Sequence, residues 1–261
     1  MNELSAHRVL PLDDRSTLEL RPDWMDAASA TRHTLRRIEF AALMPDGLAQ
    51  YGALAVPALP VFEDCATAFA RGTLIATPFG TRAVEDIIPG DIVVDADGAE
   101  DTVTWVGSTA IAIEARGAGG ALPRLARVPA DPMCSGAGQT DLLAGPAARM
   151  RVQHPRLDRL LGRAAVLAPV YDYIDGERIV AVTPHGSVQL FHIMLGQHRL
   201  LQIAGLTLET YHPGSALNEL ASNALRQRFM ALFPHIDPDI GFGQPGYNRT
   251  TRKVIDALIE T

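Results

Sequence analysis

The chain has 261 residues, of which 47% are hydrophobic and 20% charged, and its formal net charge is −7 at pH 7. This composition is typical of a soluble globular protein, and the acidic balance excludes a general nucleic-acid binder, which would present a basic face. No apolar run approaches the roughly 20 residues that span a bilayer, and residues 1–16 lack the apolar core of a Sec signal peptide. We therefore expect no transmembrane segment and synthesis in the cytoplasm, with later assembly or export by another route left open.

The first 66 residues are predicted to form an N-terminal arm that contains one helix. Apolar residues recur at spacings of three and four between Trp24 and Ala42, which predicts a helix over residues 23–43. Asp46-Gly47 then indicates a turn. Residues 55–65 contain two prolines, which exclude a helix interior and favour an extended segment that leads into the next unit.

Residues 67–212 are predicted to form a β domain. Short stretches rich in β-branched residues alternate with turn signals at Phe79-Gly80 and Pro89-Gly90. Strands that recur every 8–12 residues or so are typical of a barrel or sandwich rather than of alternating βα units. The predicted strands lie within GTLIAT, RAVEDI, DIVVDAD, DTVTWVGS, AIAIEA, LARVPA, MRVQ, AVLAPVYDYI, RIVAVTP, VQLFHIML, HRLLQIA and LTLETY.

Residues 213–261 are predicted to form a helical extension. One apolar stripe runs from Leu217 to Leu232 and ends before Pro234, and a short amphipathic helix near Val254–Ile259 follows a glycine-rich loop. Such stripes usually dock a helix onto a core, and they also offer surfaces for protein partners or for self-association.

Standard catalytic and metal-binding patterns are missing from the sequence. It contains no phosphate-binding glycine loop, no GxSxG and no HExxH, and Cys65 and Cys134 fit neither a disulfide framework nor a zinc site. His192 and His198 flank a predicted hairpin tip and could form a metal pair, but no third ligand is evident nearby. We therefore expect no metal and no cofactor.

Three carboxylates are the candidates for acid–base groups in the β region. Glu85, Asp86 and Asp91 lie in turn-rich sequence, where Asp and Glu commonly accept hydrogen bonds from the backbone. A role in turn formation is therefore the alternative for all three.

Three sequence blocks resemble the Hedgehog/intein (Hint) family, and most closely bacterial Hint modules. The first, AFARGTLIATPFG from Ala68, matches an opening that reads Cys-Phe-Thr-x-Gly-Thr-x-Ile-x-Thr-Pro-x-Gly. The second, DLLAGPAAR from Asp141, matches Asp-Leu-x-x-Ser-Pro-x-His-Arg. The third contains His192 and His198 and ends in GLTLETYHPG, which matches Gly-Leu-x-x-Glu-Ser-aromatic-x-Pro-Gly. The blocks occur in the expected order over about residues 68–214.

The resemblance implies a mainly β, Hint-like horseshoe or barrel of short strands, and a self-cleavage chemistry. In the family, the first cysteine attacks the preceding carbonyl to form a thioester, and the histidine of the second block helps to protonate the leaving amine. In this chain the two matching positions are Ala68 and Ala148. A methyl group has no lone pair, so both groups that carry the chemistry are missing.

Weaker candidates for replacement groups are Cys65, His154 and His198. Cys65 lies three residues before Ala68, which moves the sulfur by roughly 10 Å in an extended chain. His154 follows Ala148 by six residues and precedes Pro155, which favours an extended backbone. A displaced pair of Cys65 and His154 is one alternative, and a buried thiol with a loop imidazole is the other.

Three hypotheses about function follow from these observations. The first is a catalytically inactive Hint-like module that acts as a structural or assembly component of a larger complex, with protein partners or copies of itself. The second is an autoprocessing Hint protein, cleaving before residue 68, that has been captured as an inactivated variant. The third is an enzyme that uses the vestigial cleft for a small ligand.

Overall fold

Antiparallel strands are the main regular element of the computed structural model, which describes residues 35–112, 125–130, 140–161, 165–220 and 222–260. These residues belong to one unit, His33–Thr261. The strands are β1 Leu35–Leu43, β2 Ala49–Pro57, β3 Phe69–Ala70, β4 Leu74–Thr77, β5 Gly80–Ala83, β6 Ile92–Val94, β7 Glu100–Ala112, β8 Leu125–Val128, β9 Leu142–Ala144, β10 Arg149–Gln153, β11 Ala165–Pro169, β12 Val180–Val182, β13 Ser187–Leu195, β14 Leu200–Ile203 and β15 Leu206–Glu209.

Five short helices accompany the strands in the residues that the structure describes. They are α1 Pro60–Glu63, α2 Pro155–Leu161, α3 Ala216–Glu219, α4 Asn223–Met230 and α5 Arg252–Glu260, and two 3₁₀ turns cover Val84–Asp86 and Val170–Tyr173. Within the described ranges, none of these helices has the length and apolar character needed to cross a bilayer.

The largest sheet has the strand order β12-β8-β9-β3-β13-β7-β1-β2, and β6 also pairs with β7. A second sheet has the order β11-β10-β15-β14, and β4 and β5 form a separate hairpin. The path of the large sheet is open, with β12 and β2 at its two edges, so it does not close into a barrel. The mainly β fold expected from the sequence is confirmed.

The helix predicted over residues 23–43 is wrong for the part that the structure describes, because residues 35–43 form strand β1. All nine residues of β1 pair with β2, and residues 39–42 also pair with β7. Ile38 and Ala42 are both fully buried. Their spacing of four fits one face of a strand as well as one face of a helix, so the apolar pattern alone could not separate the two. Residues 23–34 lie outside the described ranges.

The segment over residues 55–65, expected to be extended, is a strand only as far as Pro57. Residues 60–63 form helix α1, and Pro60 lies in its first turn, where proline is tolerated.

Three further predictions also change. DTVTWVGS and AIAIEA belong to one 13-residue strand, β7, as far as Ala112. RAVEDI is a strand only to Ala83, after which the chain forms a 3₁₀ turn. The apolar stripe after Pro213 is divided between α3 and α4, because Leu220 has an extended backbone. The turn predicted at Asp46-Gly47 is confirmed, and Gly47 adopts the φ of +82° that favours glycine.

One hydrophobic core, here called the second core, joins the segments before residue 67 and after residue 212 to the central sheet. It includes Ile38, Ala42, Val56, Phe62, Cys65, Trp105, Tyr211, Phe229, Leu232 and Phe233. The Trp105 indole donates a hydrogen bond of 2.7 Å to the Leu232 carbonyl, and the Phe233 ring lies 4.7 Å from the Trp105 ring. The domain boundaries at 66 and 212 stay a prediction, since one core contains residues from both sides of each.

Candidate functional site

The Thr67–Ala68 peptide is held by main-chain hydrogen bonds on both sides. The Ala68 N–H donates to the Phe191 carbonyl at 3.0 Å, and the Ala68 carbonyl accepts from Gly145 N–H at 2.8 Å. The Thr67 carbonyl accepts from Ala147 N–H at 3.2 Å. The first and second sequence blocks therefore meet at this peptide, next to the third block on β13.

Gly145 permits this close approach. A Cβ at residue 145 would lie 2.1 Å from the Thr67 carbonyl oxygen, which no side chain tolerates. The family pattern has serine at this position, so the loop lies closer to the Thr67 carbonyl in this chain than a serine would allow. Gly145 is thus a third departure from the pattern, beside Ala68 and Ala148.

Ala68 and Ala148 are buried, and their side chains are only methyl groups. Ala68 is fully buried and Ala148 is 2% exposed. Both pack in another hydrophobic core, here called the first core, with residues such as Phe69, Val170 and Ile193. No polar side-chain atom is present at either position, so neither can attack the Thr67 carbonyl or protonate a leaving amine.

Cys65 and His154 are not brought together as a replacement pair. The Cys65 thiol lies in the second core and donates to the Phe62 carbonyl at 3.1 Å. Burial, together with the Asp64 charge, raises the pKa of Cys65 well above its ordinary value, which keeps the thiol protonated. His154 instead precedes α2, where its Nδ1 accepts from Arg156 N–H at 3.2 Å.

Next to Ala68 and Ala148 lies a cluster of charged and polar side chains, here called the ionic centre: Asp64, Arg149, His198, Glu209 and Arg249. The Glu209 side chain is fully buried, and its Oε1 lies 2.9 Å from His198 Nε2 and 2.8 Å from Arg249 Nε. Arg149 lies 3.7 Å from Glu209 Oε2 and 2.8 Å from Asp64 Oδ2. Burial alone would raise the pKa of Glu209, but the His198 hydrogen bond and the two arginine charges lower it below its ordinary value.

The ionic centre connects three parts of the chain. Asp64 precedes the Thr67–Ala68 peptide, Arg149 and Glu209 belong to strands of the second sheet, and Arg249 lies in the C-terminal loop. The Arg249 guanidinium also donates to the His212 carbonyl. These contacts fix the segments before and after the β domain to its centre.

His192 and His198 both face Glu209, but they do not form a metal site. His192 Nδ1 lies 2.8 Å from the Asp64 carbonyl and Nε2 lies 3.3 Å from the Glu209 carbonyl. Burial lowers the pKa of His192 to about 4, so the neutral ring has one N–H to donate, and the shorter contact goes to Asp64. His198 accepts from Gly246 N–H through Nδ1. The described residues contain no group of three side chains placed to hold a metal ion.

The carboxylates considered for acid–base chemistry bond to turns in the structure. Glu85 Oε2 accepts from Gly72 N–H at 2.8 Å, and Asp91 Oδ2 accepts from Ile88 N–H at 2.9 Å. Asp86 is exposed in the 3₁₀ turn. The backbone role that the sequence offered as the alternative accounts for Glu85 and Asp91.

Sequence reasoning missed the ionic centre as a unit. Arg149 and Glu209 both belong to the resembling motifs, as the Arg of His-Arg and as the Glu before the Ser-aromatic pair, and this signal could have identified them. Arg249 lies 40 residues beyond Glu209 in a loop with no periodic pattern, and no sequence signal pointed to it.

A cavity of about 470 Å³ lies elsewhere, between α2, α5 and the C-terminal loop. Leu157, Val166 and Ile255 are among its apolar lining residues, and Arg249 lies at its edge with the ionic centre. Neither Ala68 nor Ala148 lines it, so this cavity is not the vestigial cleft of the third hypothesis.

Comparison with known proteins gives one family and several solved structures. The sequence model of the Hint domain matches residues 67–215. The solution structure of a bacterial intein-like domain from Clostridium thermocellum is 14% identical, with a TM-score of 0.37, and the match covers 56% of this chain and 99% of that one. The crystal structure of the MchDnaB-1 intein is 18% identical, with a TM-score of 0.30, covering 55% of this chain and 100% of that one. No curated protein matches the chain.

Proposed function

Because the chain belongs to the Hint domain family, we propose that it is a Hint module without self-cleavage activity that serves as a structural or assembly component. One observation carries this proposal: methyl groups occupy both positions that the family resemblance assigns to chemistry, Ala68 and Ala148. The peptide that would be cleaved is nevertheless held in place, with its carbonyl bonded to Ala147 N–H.

The cleavage chemistry needs a nucleophile and a proton donor on opposite sides of the Thr67–Ala68 peptide. A thiolate on residue 68 would have to attack the Thr67 carbonyl carbon, break its bond to the Ala68 nitrogen and leave a thioester. The departing nitrogen would need a proton from a nearby acid. The side chains of residues 68 and 148 supply neither, so the Ala147 hydrogen bond polarises a carbonyl that nothing attacks.

Cys65 does not substitute for the missing sulfur. Its thiol donates to the Phe62 carbonyl, is fully buried, and has a pKa raised by burial and by the Asp64 charge. A protonated thiol is a poor nucleophile. The peptide in front of Cys65 is also three residues away from the peptide that Ala147 holds.

The contacts that hold the scaffold together need no catalytic group, and this supports a structural role. The ionic centre joins the segment before Ala68 to the C-terminal loop, and the second core packs the β1–β2 hairpin against α4. Residues 35–66 are therefore packed as part of the folded unit, and they would remain bound to it even if the chain were cut at residue 67.

The test is a comparison of the native chain with Ala68→Cys, Ala148→His and the double variant, incubated with thiol and analysed by denaturing gel and mass spectrometry. Denaturation is essential, since the two fragments would stay associated in the fold. We expect the native chain and both single variants to stay intact. Ala66→Cys is the matched control, because it adds a buried thiol two residues from the reactive position.

Two outcomes would count against the proposal. Cleavage of the native chain between Thr67 and Ala68 would overturn its inertness. Release of residues 1–67 by Ala68→Cys alone would favour the alternative, an autoprocessing protein captured as an inactivated variant.

A further inference from the structure

Within the part of the chain that the structure describes, strand β2 is an unprotected edge of the large sheet. Among the described residues its only strand neighbour is β1, and its nine residues, AQYGALAVP, include no charged side chain. Natural edge strands are usually protected by charges, bulges or proline, because free N–H and C=O groups attract another strand. Here Pro57 protects only the last position, and Tyr51 is 67% exposed.

The outward-facing backbone groups of β2 follow from its pairing with β1. Met44 N–H donates to the Leu48 carbonyl, so even-numbered residues of β2 bond to β1 and odd-numbered ones face away from it. The Ala55 carbonyl confirms this, because it accepts from Arg228 Nε at 3.1 Å and Nη2 at 2.6 Å, on the side away from β1. The open groups therefore belong to Ala49, Tyr51 and Ala53.

We propose that β2 pairs antiparallel with β2 of a second copy of this chain, about a two-fold axis at Tyr51. In this register Tyr51 lies opposite the partner's Tyr51, and Ala49 lies opposite the partner's Ala53, each pair exchanging two N–H···O bonds. All three open residues are then paired. Arg228 already bonds to the Ala55 carbonyl. Registers centred closer to Pro57 would therefore form fewer hydrogen bonds between the two strands, so Arg228 favours the register centred on Tyr51.

The side chains support the same register. Leu48 is 69% exposed and comes to lie opposite the partner's Leu54, and the two exposed Tyr51 rings meet on the solvent face. Gly47 comes opposite the partner's Ala55, which brings the Asp46 carboxylate beside the partner's Arg228. The chain carries a net charge of −7, but the paired β2 strands are uncharged. At each end of the pair, an acidic side chain of one copy lies beside a basic side chain of the other.

The first test is the mass of the full-length chain in solution, by sedimentation equilibrium or light scattering over a range of concentrations. We expect twice 28.1 kDa for the native chain. Tyr51→Lys places two like charges opposite each other at the axis without disturbing a buried group, so it should weaken the dimer at least about tenfold. Phe79→Lys adds the same charge at a 97% exposed aromatic on the β4–β5 turn and should leave the dimer unchanged.

The second test fixes the register by oxidation to a disulfide in a Cys134→Ser background. Residues opposite each other in a hydrogen-bonded antiparallel pair have Cα atoms about 5.5 Å apart, within the span of a disulfide. Tyr51→Cys should therefore cross-link two chains. Ala53→Cys should not, since the two copies of residue 53 are offset along the strands by roughly 13 Å.

A native chain that is monomeric at every concentration up to its solubility limit would overturn the proposal, as would a dimer unaffected by Tyr51→Lys. Cross-linking through Ala53→Cys but not through Tyr51→Cys would overturn the register. The dimer names a partner for the assembly role proposed above, and it rests on that role. The dimer is tested by mass and by cross-linking, whereas the lack of self-cleavage is tested by looking for backbone cleavage. Either proposal can therefore fail without the other.

Discussion

The Thr67–Ala68 peptide and the Glu209 carboxylate lie in adjoining parts of the fold, and their surroundings differ sharply. Around the peptide, Ala68 and Ala148 place only methyl groups within a hydrophobic core. Around Glu209, two arginines and a histidine surround a fully buried carboxylate. Arg149 follows Ala148 directly in sequence and belongs to the ionic centre.

The two regions place different demands on the folding of the chain. A buried carboxylate is costly unless it is paired, so Glu209 depends on the groups that contact it. The cleavage chemistry imposes no such demand on folding, since alanine packs in a core without a partner. The structure therefore holds its segments together through Glu209 and its partners, whereas Ala68 and Ala148 contribute only apolar packing.

The largest effect is expected from breaking the ionic centre at its buried end. Glu209→Gln keeps the shape of the side chain but removes the carboxylate that pairs with Arg249, and it leaves Arg149 with Asp64 as its remaining charged partner. We expect the free energy of unfolding to fall by about 3–5 kcal/mol, measured by urea denaturation. Glu39→Gln is the matched control, because Glu39 pairs with Arg37 on the surface and should cost less than about 0.5 kcal/mol.

An equal effect of these two substitutions would show that the ionic centre contributes no more than a surface pair. The contrast between the two regions would then lose its energetic basis, although residues 68 and 148 would still have only methyl side chains.

Much of the fold could be predicted from the sequence, because alternation and turn residues are local signals. Except for β9, the strands from β4 to β15 lie within or close to the stretches where apolar residues alternate between turns. Strand β1 was mistaken for a helix because its buried residues Ile38 and Ala42 fit both periods. Only its pairing with β2 and with the distant β7 decides the matter, and that pairing has no local signature.

The site divides in the same way. Ala68 and Ala148 could be located because sequence motifs surround them, and the structure brings their blocks together through Gly145 and Ala147. The ionic centre depends on Arg249, which reaches Glu209 from a loop 40 residues away. Contacts between distant segments of this kind are set by tertiary packing and leave no spacing in the sequence.

His192 lies between the two regions and should make stability depend on pH. Its pKa is lowered to about 4 by burial, whereas an unfolded histidine titrates near about 6.5. Between these values the unfolded chain binds the proton more readily, so stability is fully present above about pH 6.5 and is lost as the pH falls toward about 4. From about pH 6.5 to about pH 5 we expect a loss of about 2 kcal/mol attributable to His192.

The measurement is urea denaturation at both pH values for the native chain and for His192→Gln, which retains a donor for the Asp64 carbonyl. The variant should show a smaller loss on acidification by about that amount. Identical losses would mean that His192 accepts a proton in the folded state, in which case both of its nitrogens would donate, to Asp64 and to Glu209.

The smallest effect is expected at the solvent end of the same ionic centre. Asp64 bonds to Arg149 at 2.8 Å, but its side chain is 30% exposed, so water compensates much of what the pair loses. Asp64→Asn should lower the free energy of unfolding by no more than about 1 kcal/mol, and adding salt should reduce the difference from the native chain. A loss as large as that of Glu209→Gln would mean that Arg149 depends on Asp64 to stay in the ionic centre, and the segment before Ala68 would then be held mainly by charge rather than by the second core.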